Sequence, residues 1–297
     1  KKIQKIKKNP KDKKIQKIRD LNTFRLILVF DNFIGHVDHV SSIDYSIFDD
    51  SQLLCSGSHD KTVRVWDTVT KKQIYLLEHP KEVSCAKFSQ YHYHNNRSCV
   101  ICFSSKDKTI RLWDFKNSQQ VQVFNGHTNS IDCIEFSSFD GGRYLCSGSA
   151  DKTVRLWDVE TSKPLHAFNG HTNTVYCVDI SPLQSGNISM IGGSGYTICS
   201  GSFDDTVRVW DIEKTKEFII FEGHKNYVSS VKYGPNELGN IGCVNTILSG
   251  SVDNSVRLWD IRSKKQIQIF NAHTKSVTCV AYSPFSIKNY ELGVRAN

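Results

Sequence analysis

The sequence predicts an all-β fold assembled from repeated units, and two observations lead to this prediction. The dipeptide Trp-Asp occurs five times, and successive tryptophans are 47, 44, 53 and 49 residues apart. A histidine lies upstream of each Trp-Asp, usually directly after glycine, as in Gly126-His127. Units of this length, with Gly-His near the start and Trp-Asp at the end, are typical of a β-propeller, in which each unit forms one four-stranded blade.

The third unit shows the order of the strands most clearly. Its apolar segments predict four strands, at Ile131–Phe136, Tyr144–Ser149, Thr153–Trp157 and Pro164–Phe168. These segments are nearly continuous in apolar and small residues, which favours sheets that are buried on both faces. A tight turn, Ala150-Asp151-Lys152, joins the second strand to the third. Between the first two strands of three units lie polar segments of variable length, at residues 91–98, 182–196 and 234–244, which we predict to be surface loops.

The positive charge of the 297-residue chain lies in one short segment. Residues 1–20 contain ten Lys or Arg and two Asp, which gives this segment a charge of +8. The remaining 28 basic and 28 acidic residues cancel, so the predicted propeller is neutral. A nucleic-acid-binding domain normally carries its positive charge on the folded surface. We therefore predict a disordered basic tail at residues 1–20 and a propeller at residues 21–297, with units at 24–67, 68–114, 115–158, 159–211, 212–260 and, in part, 261–297.

Hydropathy and cysteine usage favour an intracellular protein, cytoplasmic or nuclear. The longest apolar run, Leu26–Phe30, is too short for a membrane helix or a signal peptide. Eight of the ten cysteines recur at two positions of the repeat: Cys85, Cys133, Cys177 and Cys279 follow the histidine by six residues, and Cys55, Cys102, Cys146 and Cys199 precede the aspartate by five. A secreted disulfide framework would not follow a repeat in this way, so we expect these thiols to be reduced core residues.

With five Gly-His…Trp-Asp units, the chain resembles the WD-repeat proteins, in particular the regular type found in G-protein β-subunits. The resemblance covers residues 21–297. It implies a propeller in which the face formed by the Gly-His loops and the Asp turns is the usual contact surface. It also implies that hydrogen bonds among Asp, His, Ser and Trp tie the tight turn and the Gly-His loop to the middle strands of each blade.

A polar set recurs in every unit, because a serine stands two residues before each turn aspartate. The predicted sets are His36, Ser58, Asp60, Trp66; His79, Ser105, Asp107, Trp113; His127, Ser149, Asp151, Trp157; His171, Ser202, Asp204, Trp210; and His224, Ser251, Asp253, Trp259. Ser, His and Asp together also invite a catalytic-triad interpretation. An enzyme needs one such site with an oxyanion hole, whereas this group occurs five times with a Trp beside it. We therefore predict a structural role and no enzyme activity.

The two ends of the predicted propeller do not complete a ring. Thr23–Phe30 is predicted as an outer strand without a blade of its own, and Val277–Tyr282 as the first strand of a further blade. In the WD-repeat family the N-terminal outer strand usually completes the last blade, and seven blades are the commonest number. The resemblance therefore predicts five complete blades with partial blades at both ends, which would be a fragment of a six- or seven-bladed ring.

Specificity for a partner is expected to come from residues that neighbour the fixed positions. The candidates precede the turn aspartate or follow the histidine by three residues: His39, His59, Glu82, Lys106, Phe203, Tyr227 and Val252. Phe203 and Tyr227 belong to consecutive units, so adjacent blades would present both rings on one face. Exposed aromatic residues are enriched at binding hot spots, although each ring could instead fold against its own loop. Our hypothesis is that this pair anchors a partner, with the charged residues setting its preference.

The leading functional prediction is a non-catalytic scaffold or adaptor for protein–protein interaction, with no cofactor and no metal. One alternative is association with nucleic acid or an acidic membrane surface through the basic tail, and another is a propeller enzyme. His92, His94, Cys99 and Cys102 lie within eleven residues and superficially suggest a zinc site. Cys99 and Cys102 are three positions apart, and an odd offset places their side chains on opposite faces of a strand, which disfavours a common ion. The partner itself is not predictable from these residues.

Overall fold

Five four-stranded antiparallel sheets make up the computed structural model, which describes residues 34–48, 51–182, 196–234 and 245–282. In every sheet, the four strands are consecutive in the chain and hydrogen-bonded in that order. We call the sheets blades 1 to 5. The all-β prediction with five complete blades is thereby confirmed.

Each blade occupies one sequence unit. Blade 1 contains β1 (Val40–Phe48), β2 (Ser51–Ser58), β3 (Thr62–Asp67) and β4 (Lys72–Glu78). Blade 2 contains β5 (Val83–Phe88), β6 (Val100–Ser105), β7 (Ile110–Asp114) and β8 (Gln119–Phe124). Blade 3 contains β9 (Ile131–Phe136), β10 (Tyr144–Ser149), β11 (Thr153–Asp158) and β12 (Lys163–Asn169). Blade 4 contains β13 (Val175–Ile180), β14 (Thr197–Ser202), β15 (Val207–Asp211) and β16 (Lys216–Phe221), and blade 5 contains β17 (Val228–Tyr233), β18 (Thr246–Ser251), β19 (Val256–Asp260) and β20 (Lys265–Phe270).

Apolar side chains fill the space between neighbouring blades. The first strands of successive blades, β1, β5, β9, β13 and β17, contact one another in chain order. Each Trp of blades 3, 4 and 5 packs against a phenylalanine on the outer strand of the preceding blade, as Trp157 does with Phe124 at a ring-centroid distance of 5.6 Å. Both faces of a blade therefore contribute to a core, which explains why the strands are nearly continuous in apolar residues.

One predicted surface loop contains a short helix. Residues 91–98 were predicted to be irregular, but Gln90–Asn96 forms helix α1. Arg97 ends this helix in the left-handed conformation, and its backbone N–H donates to the carbonyl of Tyr93. The side chains of His92 and Tyr93 are buried beneath the helix, so an apolar anchor holds the segment against the blade. The other two predicted loops lie mostly outside the described residues.

The two predicted end strands have different outcomes. Thr23–Phe30 lies outside the described residues. Val277–Tyr282 is described but is not a β-strand, so that prediction is wrong, because no second strand among the described residues pairs with it. It nevertheless docks on blade 5 as β5 docks on blade 1. The N–H of Val280 donates to Ser230 Oγ at 3.1 Å, just as the N–H of Ala86 donates to Ser42 Oγ at 2.7 Å.

Candidate functional site

A hydrogen-bonded relay links the middle strands of blade 3 to its tight turn. Trp157 Nε1 donates to Ser147 Oγ at 2.9 Å, and Ser147 Oγ lies 2.8 Å from His127 Nε2. His127 Nδ1 lies 2.7 Å from Asp151 Oδ2. An indole N–H can only donate and a carboxylate can only accept. When the imidazole is neutral, its Nδ1–H therefore donates to Asp151, and its Nε2 accepts the hydroxyl proton of Ser147.

The same relay occurs in blades 1, 4 and 5. Its members are Trp66, Ser56, His36 and Asp60; Trp210, Ser200, His171 and Asp204; and Trp259, Ser249, His224 and Asp253. All nine bonds in these blades are between 2.7 and 2.9 Å long. Four copies of one bonded geometry indicate a structural element of the blade, since an active site would break the repeat.

The serine predicted for these sets is wrong in blades 1, 3, 4 and 5. Ser58, Ser149, Ser202 and Ser251 end their strands, and their hydroxyls bond backbone groups of the turn and of the Gly-His loop. In blade 3, Ser149 Oγ accepts the backbone N–H of Asp151 at 3.0 Å and donates to the carbonyl of Ser130 at 2.8 Å. The serine of the relay lies two residues earlier, at position 147, where the side chain reaches the indole. The predicted serines therefore shape the turn.

Blade 2 departs from the relay. Phe103 occupies the position of the bonded serine, and its ring lies edge-on to His79 at 5.3 Å. His79 Nε2 is 3.1 Å from Asp107 Oδ2, an ion-pair distance, but it lacks the alignment of a hydrogen bond. Trp113 Nε1 donates instead to the phenol oxygen of Tyr75 in blade 1, at 2.7 Å. Ser105 accepts the N–H of Asp107 at 3.1 Å, as its counterparts do.

The relay and its burial shift the pKa values of the aspartates and histidines that belong to it. Burial alone would raise the pKa of Asp151, but bonds from His127 and Thr153 hold it well below the ordinary value. The aspartates of blades 1, 4 and 5 behave in the same way. Burial lowers the pKa of His127, His171 and His224, and outweighs the opposing effect of the neighbouring carboxylates. The lowered pKa favours the neutral imidazole, and with it a bond from the serine hydroxyl to Nε2.

The glycine before the histidine is required by close packing. A Cβ atom at Gly35 would lie 2.6 Å from Arg64 Nη1 and 2.7 Å from the ring of Trp66. Both distances are shorter than van der Waals contact, so a side chain here would displace the arginine or the indole. The Gly-His pair thus carries a packing requirement as well as a hydrogen bond.

The partner-face residues predicted from the sequence meet in pairs. In each blade, the residue before the aspartate donates its backbone N–H to the carbonyl of the residue three after the histidine. These pairs are His59 with His39, Lys106 with Glu82, Ala150 with Ser130, Phe203 with Thr174 and Val252 with Tyr227, at 2.9 to 3.1 Å. Both sets therefore lie on one face, which we call the turn face: the face formed by the Gly-His loops and the Asp turns.

Three aromatic rings stack on the turn face. Phe203 lies parallel to Tyr227, with a centroid distance of 4.2 Å and an interplanar angle of 13°. Tyr176 stacks on Phe203 at 5.3 Å and 24°. Tyr176 is 44% exposed and Tyr227 is 42% exposed. The structure thus brings together the predicted pair and adds Tyr176, which sequence reasoning missed although it lies five residues after His171. We call these three residues the aromatic stack.

Elsewhere on the turn face the candidates form smaller contacts. The rings of His39 and His59 are 5.1 Å apart. Lys106 Nζ lies 3.4 Å from Asp132 Oδ1. Glu82 and Val252 are both half-buried. Each of these contacts joins only two side chains, whereas the aromatic stack joins three and is the larger apolar feature.

A charged layer follows the first strands and was also missed. It consists of the residue eight positions after each histidine: Asp44, Lys87, Glu135, Asp179 and Lys232. Lys232 Nζ contacts Glu135 at 2.8 Å and Asp179 at 2.9 Å, and so links blades 5, 3 and 4. Lys87 contacts Glu135 at 3.0 Å. Burial alone would raise the pKa of Glu135, but the two lysines lower it below its ordinary value. The signal in the sequence was a charge at a fixed offset inside each apolar strand.

The candidate zinc ligands are separated by the fold. Cys99 packs between blades 1 and 2, and Cys102 packs between blades 2 and 3. His92 Nδ1 is 2.8 Å from Ser89 Oγ, so this nitrogen already has a partner. In the residues that the structure describes, no group of three or more His, Cys, Asp or Glu is arranged to hold a metal ion. Burial raises the pKa of the thiols of Cys55, Cys102 and other strand cysteines.

These features define a class of protein: a β-propeller whose repeated polar groups hold its turns in place. The chain belongs to the WD-repeat family, because the family model described as WD domain, G-beta repeat, matches most of it, at residues 27–67, 71–114, 118–158, 162–211, 215–260 and 264–287. WD repeats generally mediate protein–protein interaction or scaffolding, and proteins of this family typically bind proteins and are typically non-catalytic.

One curated relative is similar over a short segment. The chain is 43% identical over 44 residues to the ribosome biogenesis protein YTM1 of Yarrowia lipolytica (strain CLIB 122 / E 150). The aligned segment is 15% of this chain and only 9% of the length of that relative. No helix in the part of the chain that the structure describes has the length and apolarity needed to span a membrane.

Proposed function

We propose that this protein is a non-catalytic scaffold that holds a protein partner on its turn face, with the aromatic stack as the main anchor. The observation that carries the proposal is the exposure of Tyr176 and Tyr227 at the two ends of three stacked rings. Large rigid aromatic side chains lose little conformational entropy on binding and dominate the energetics of interfaces.

The surroundings of the stack support a role in binding. The backbone N–H of Phe203 donates to the carbonyl of Thr174 in blade 4, and that of Val252 donates to the carbonyl of Tyr227 in blade 5. These bonds fix the backbone at Phe203 and Tyr227. A surface that is ordered before binding loses less entropy when a partner docks. Stacking of Tyr227 from blade 5 on Phe203 from blade 4 also makes the surface continuous across two blades.

The repeated relays support a non-catalytic assignment. The hydroxyl of Ser147 bonds both Trp157 and His127, and the residue is fully buried. A nucleophilic serine needs a hydroxyl that is free to attack a substrate. Its counterparts in blades 1, 4 and 5 make the same two bonds, which supports a structural role for each group.

We further propose that the partner belongs to a nuclear assembly such as the machinery of ribosome biogenesis. The support is the similarity to a protein whose name states that role. The aligned 44 residues equal about one blade in length, so ribosome assembly is the first pathway to test. Co-sedimentation with pre-ribosomal particles supports this extension, and distribution only in fractions free of such particles contradicts it.

The anchor is tested by comparing three forms of the full chain as bait in cell extract. The forms are wild type, a Phe203→Ala, Tyr227→Ala double variant, and the control variant Val69→Ala, which alters an exposed apolar residue in the β3–β4 turn. Partners recovered with wild type and Val69→Ala should be depleted at least about tenfold with the double variant, since two aromatic hot-spot residues are removed. Equal recovery with all three forms contradicts the proposal.

Residues 1–20 support a second candidate function, which is binding to nucleic acid or an acidic membrane surface. Ten Lys or Arg lie within this short segment. Binding that depends on such a segment should fall steeply with salt, because counterions are released on association. Deletion of residues 1–20 should abolish it. Binding that survives the deletion, or that does not change between low and high salt, contradicts this candidate.

A further inference from the structure

The exposed end of the aromatic stack lies beside a carboxylate. Tyr176 follows His171 by five residues, and Asp132 follows His127 by five, so they occupy the same position in the first strands of blades 4 and 3. These strands, β13 and β9, contact one another. Phe203 covers one face of the Tyr176 ring, yet the residue stays 44% exposed. A flat aromatic surface and a negative charge are therefore neighbours on the turn face.

The charge of Asp132 is incompletely compensated. Within the described ranges, its ion-pair partner is Lys106, at 3.4 Å, and the Lys106 side chain is 38% exposed. Burial raises the pKa of Asp132, and Lys106 offsets this only in part. The same position holds serine in blades 1, 2 and 5, at Ser41, Ser84 and Ser229. The hydroxyl of Ser84, in the neighbouring blade 2, is buried and has no hydrogen-bond partner among the described residues.

We propose that this end of the stack binds an arginine side chain of a protein partner, with the guanidinium on the exposed side of Tyr176 and paired with Asp132 in place of Lys106. The inference rests on the proposed function, because it specifies the chemistry of the partner at the same face. A guanidinium is planar, stacks on aromatic rings and offers two parallel donors to a carboxylate.

Two carboxylates on the turn face of blades 3 and 4 favour a basic protein segment over a nucleic acid at the aromatic stack. Asp205 follows directly after the relay aspartate of blade 4, in the turn that carries Phe203. Burial, together with Asp204 and Asp253, raises the pKa of Asp205. Lys225 is exposed on the Gly-His loop of the next blade. Carboxylates at Asp132 and Asp205 would repel a phosphodiester backbone.

The test is a titration of the full chain with three seven-residue peptides, followed by NMR. The peptides are Gly-Ser-Gly-Xaa-Gly-Ser-Gly with blocked ends and Arg, Lys or citrulline at the centre. Arginine should bind at least about tenfold more tightly than citrulline, which lacks the charge but keeps a similar shape. Lysine should bind more weakly than arginine because it cannot stack or pair at two points.

Variants of the chain locate the binding. Asp132→Asn and Tyr176→Ala should each remove most of the preference for arginine over citrulline, whereas Tyr176→Phe should retain it because the stack persists. Asp38→Asn, at an exposed acid of the turn face in blade 1, is the matched control and should bind as wild type does. Thermal unfolding of each variant shows whether it is folded.

Three outcomes overturn the inference: equal affinity for arginine and citrulline peptides, an arginine preference that survives in both Asp132→Asn and Tyr176→Ala, or binding of a uridine octamer in place of the peptides. If the arginine preference is absent while partner recovery still depends on Phe203 and Tyr227, only this inference fails. If partner recovery is also independent of those two rings, the proposed function fails with it.

Discussion

The indole nitrogen of Trp113 donates a hydrogen bond to the phenol oxygen of Tyr75, which belongs to the outer strand of the preceding blade. In blades 1, 3, 4 and 5, the same indole position bonds a serine of its own blade. Blade 2 has Phe103 at that serine position. Its Trp is therefore satisfied across the interface between blades 1 and 2, so the stability of blade 2 depends on its neighbour.

Replacing Tyr75 with phenylalanine tests this dependence. Tyr75→Phe removes the acceptor of Trp113 and leaves a partly buried donor without this partner. We expect the free energy of unfolding to fall by about 1–2 kcal/mol, as is usual for an orphaned donor. The measurement is denaturant unfolding, with Tyr227→Phe as the control at an exposed tyrosine. Identical midpoints for Tyr75→Phe and wild type would mean that the bond contributes nothing.

The two serines of blade 3 should have different effects on Trp157. Ser147→Ala removes the acceptor of the indole N–H, so we expect the exchange of this proton with solvent to accelerate. Ser149→Ala removes bonds within the turn and should leave this exchange rate close to that of wild type. Hydrogen exchange of the indole N–H, followed by NMR, separates the two cases. Faster exchange only in Ser149→Ala would restore the assignment made from the sequence.

The stability of the propeller should decrease as the pH falls below about 6.5. Burial lowers the pKa of His127, His171 and His224 in the folded protein, so the unfolded chain binds more protons in this range. Each such histidine contributes a slope of up to about 1.4 kcal/mol per pH unit. The relay aspartates, whose pKa values are lowered, add to the loss only below about pH 4. Stability is therefore greatest above the ordinary histidine pKa.

Unfolding free energies between pH 5 and pH 7 give this slope directly. His127→Gln should reduce it by up to about 1.4 kcal/mol per pH unit, because one titrating group is removed. His94→Gln, at an exposed position, is the matched control. A free energy of unfolding that stays constant from pH 7 to pH 5, or that increases, would show that the relay histidines do not favour the neutral form.

Lys232 should stabilise the charged layer by linking blades 3, 4 and 5. Lys232→Met leaves Glu135 and Asp179 close together without their shared cation. We expect a loss of about 2 kcal/mol, below the range for a fully buried pair because the Lys232 side chain is 37% exposed. Adding Glu135→Gln to Lys232→Met should recover part of the loss, as denaturant unfolding can show. A double variant less stable than either single variant would argue against repulsion between the carboxylates.

The blades were predictable from the sequence because the same pattern of strands and turns recurs in five units. The first two strands of blade 3 have the predicted bounds. The third is longer by one residue at its end, and the fourth is longer by one residue at each end. The relay serine was not predictable in the same way. Four units hold serine at both candidate positions. Only one of these positions is serine in all five units, and the sequence therefore favours it for the relay. In blade 2 the position that is bonded elsewhere holds Phe103.

Features that depend on contacts between blades were also beyond the sequence. Tyr176 lies in an apolar strand and joins the aromatic stack only because blades 4 and 5 bring Phe203 and Tyr227 beside it. Lys232 and Glu135 are 97 residues apart in the chain and meet across three blades. Periodicity within a unit places a residue on a strand, but it does not say which residue of another unit it will contact.

Partner recovery with the aromatic stack intact and removed tests the central claim most directly. Wild type, Val69→Ala and the Phe203→Ala, Tyr227→Ala double variant are compared as bait at equal concentration and equal thermal stability. The account predicts that the first two recover the same proteins and that the double variant loses them while remaining folded. Full recovery by a folded double variant would contradict a binding surface at the aromatic stack.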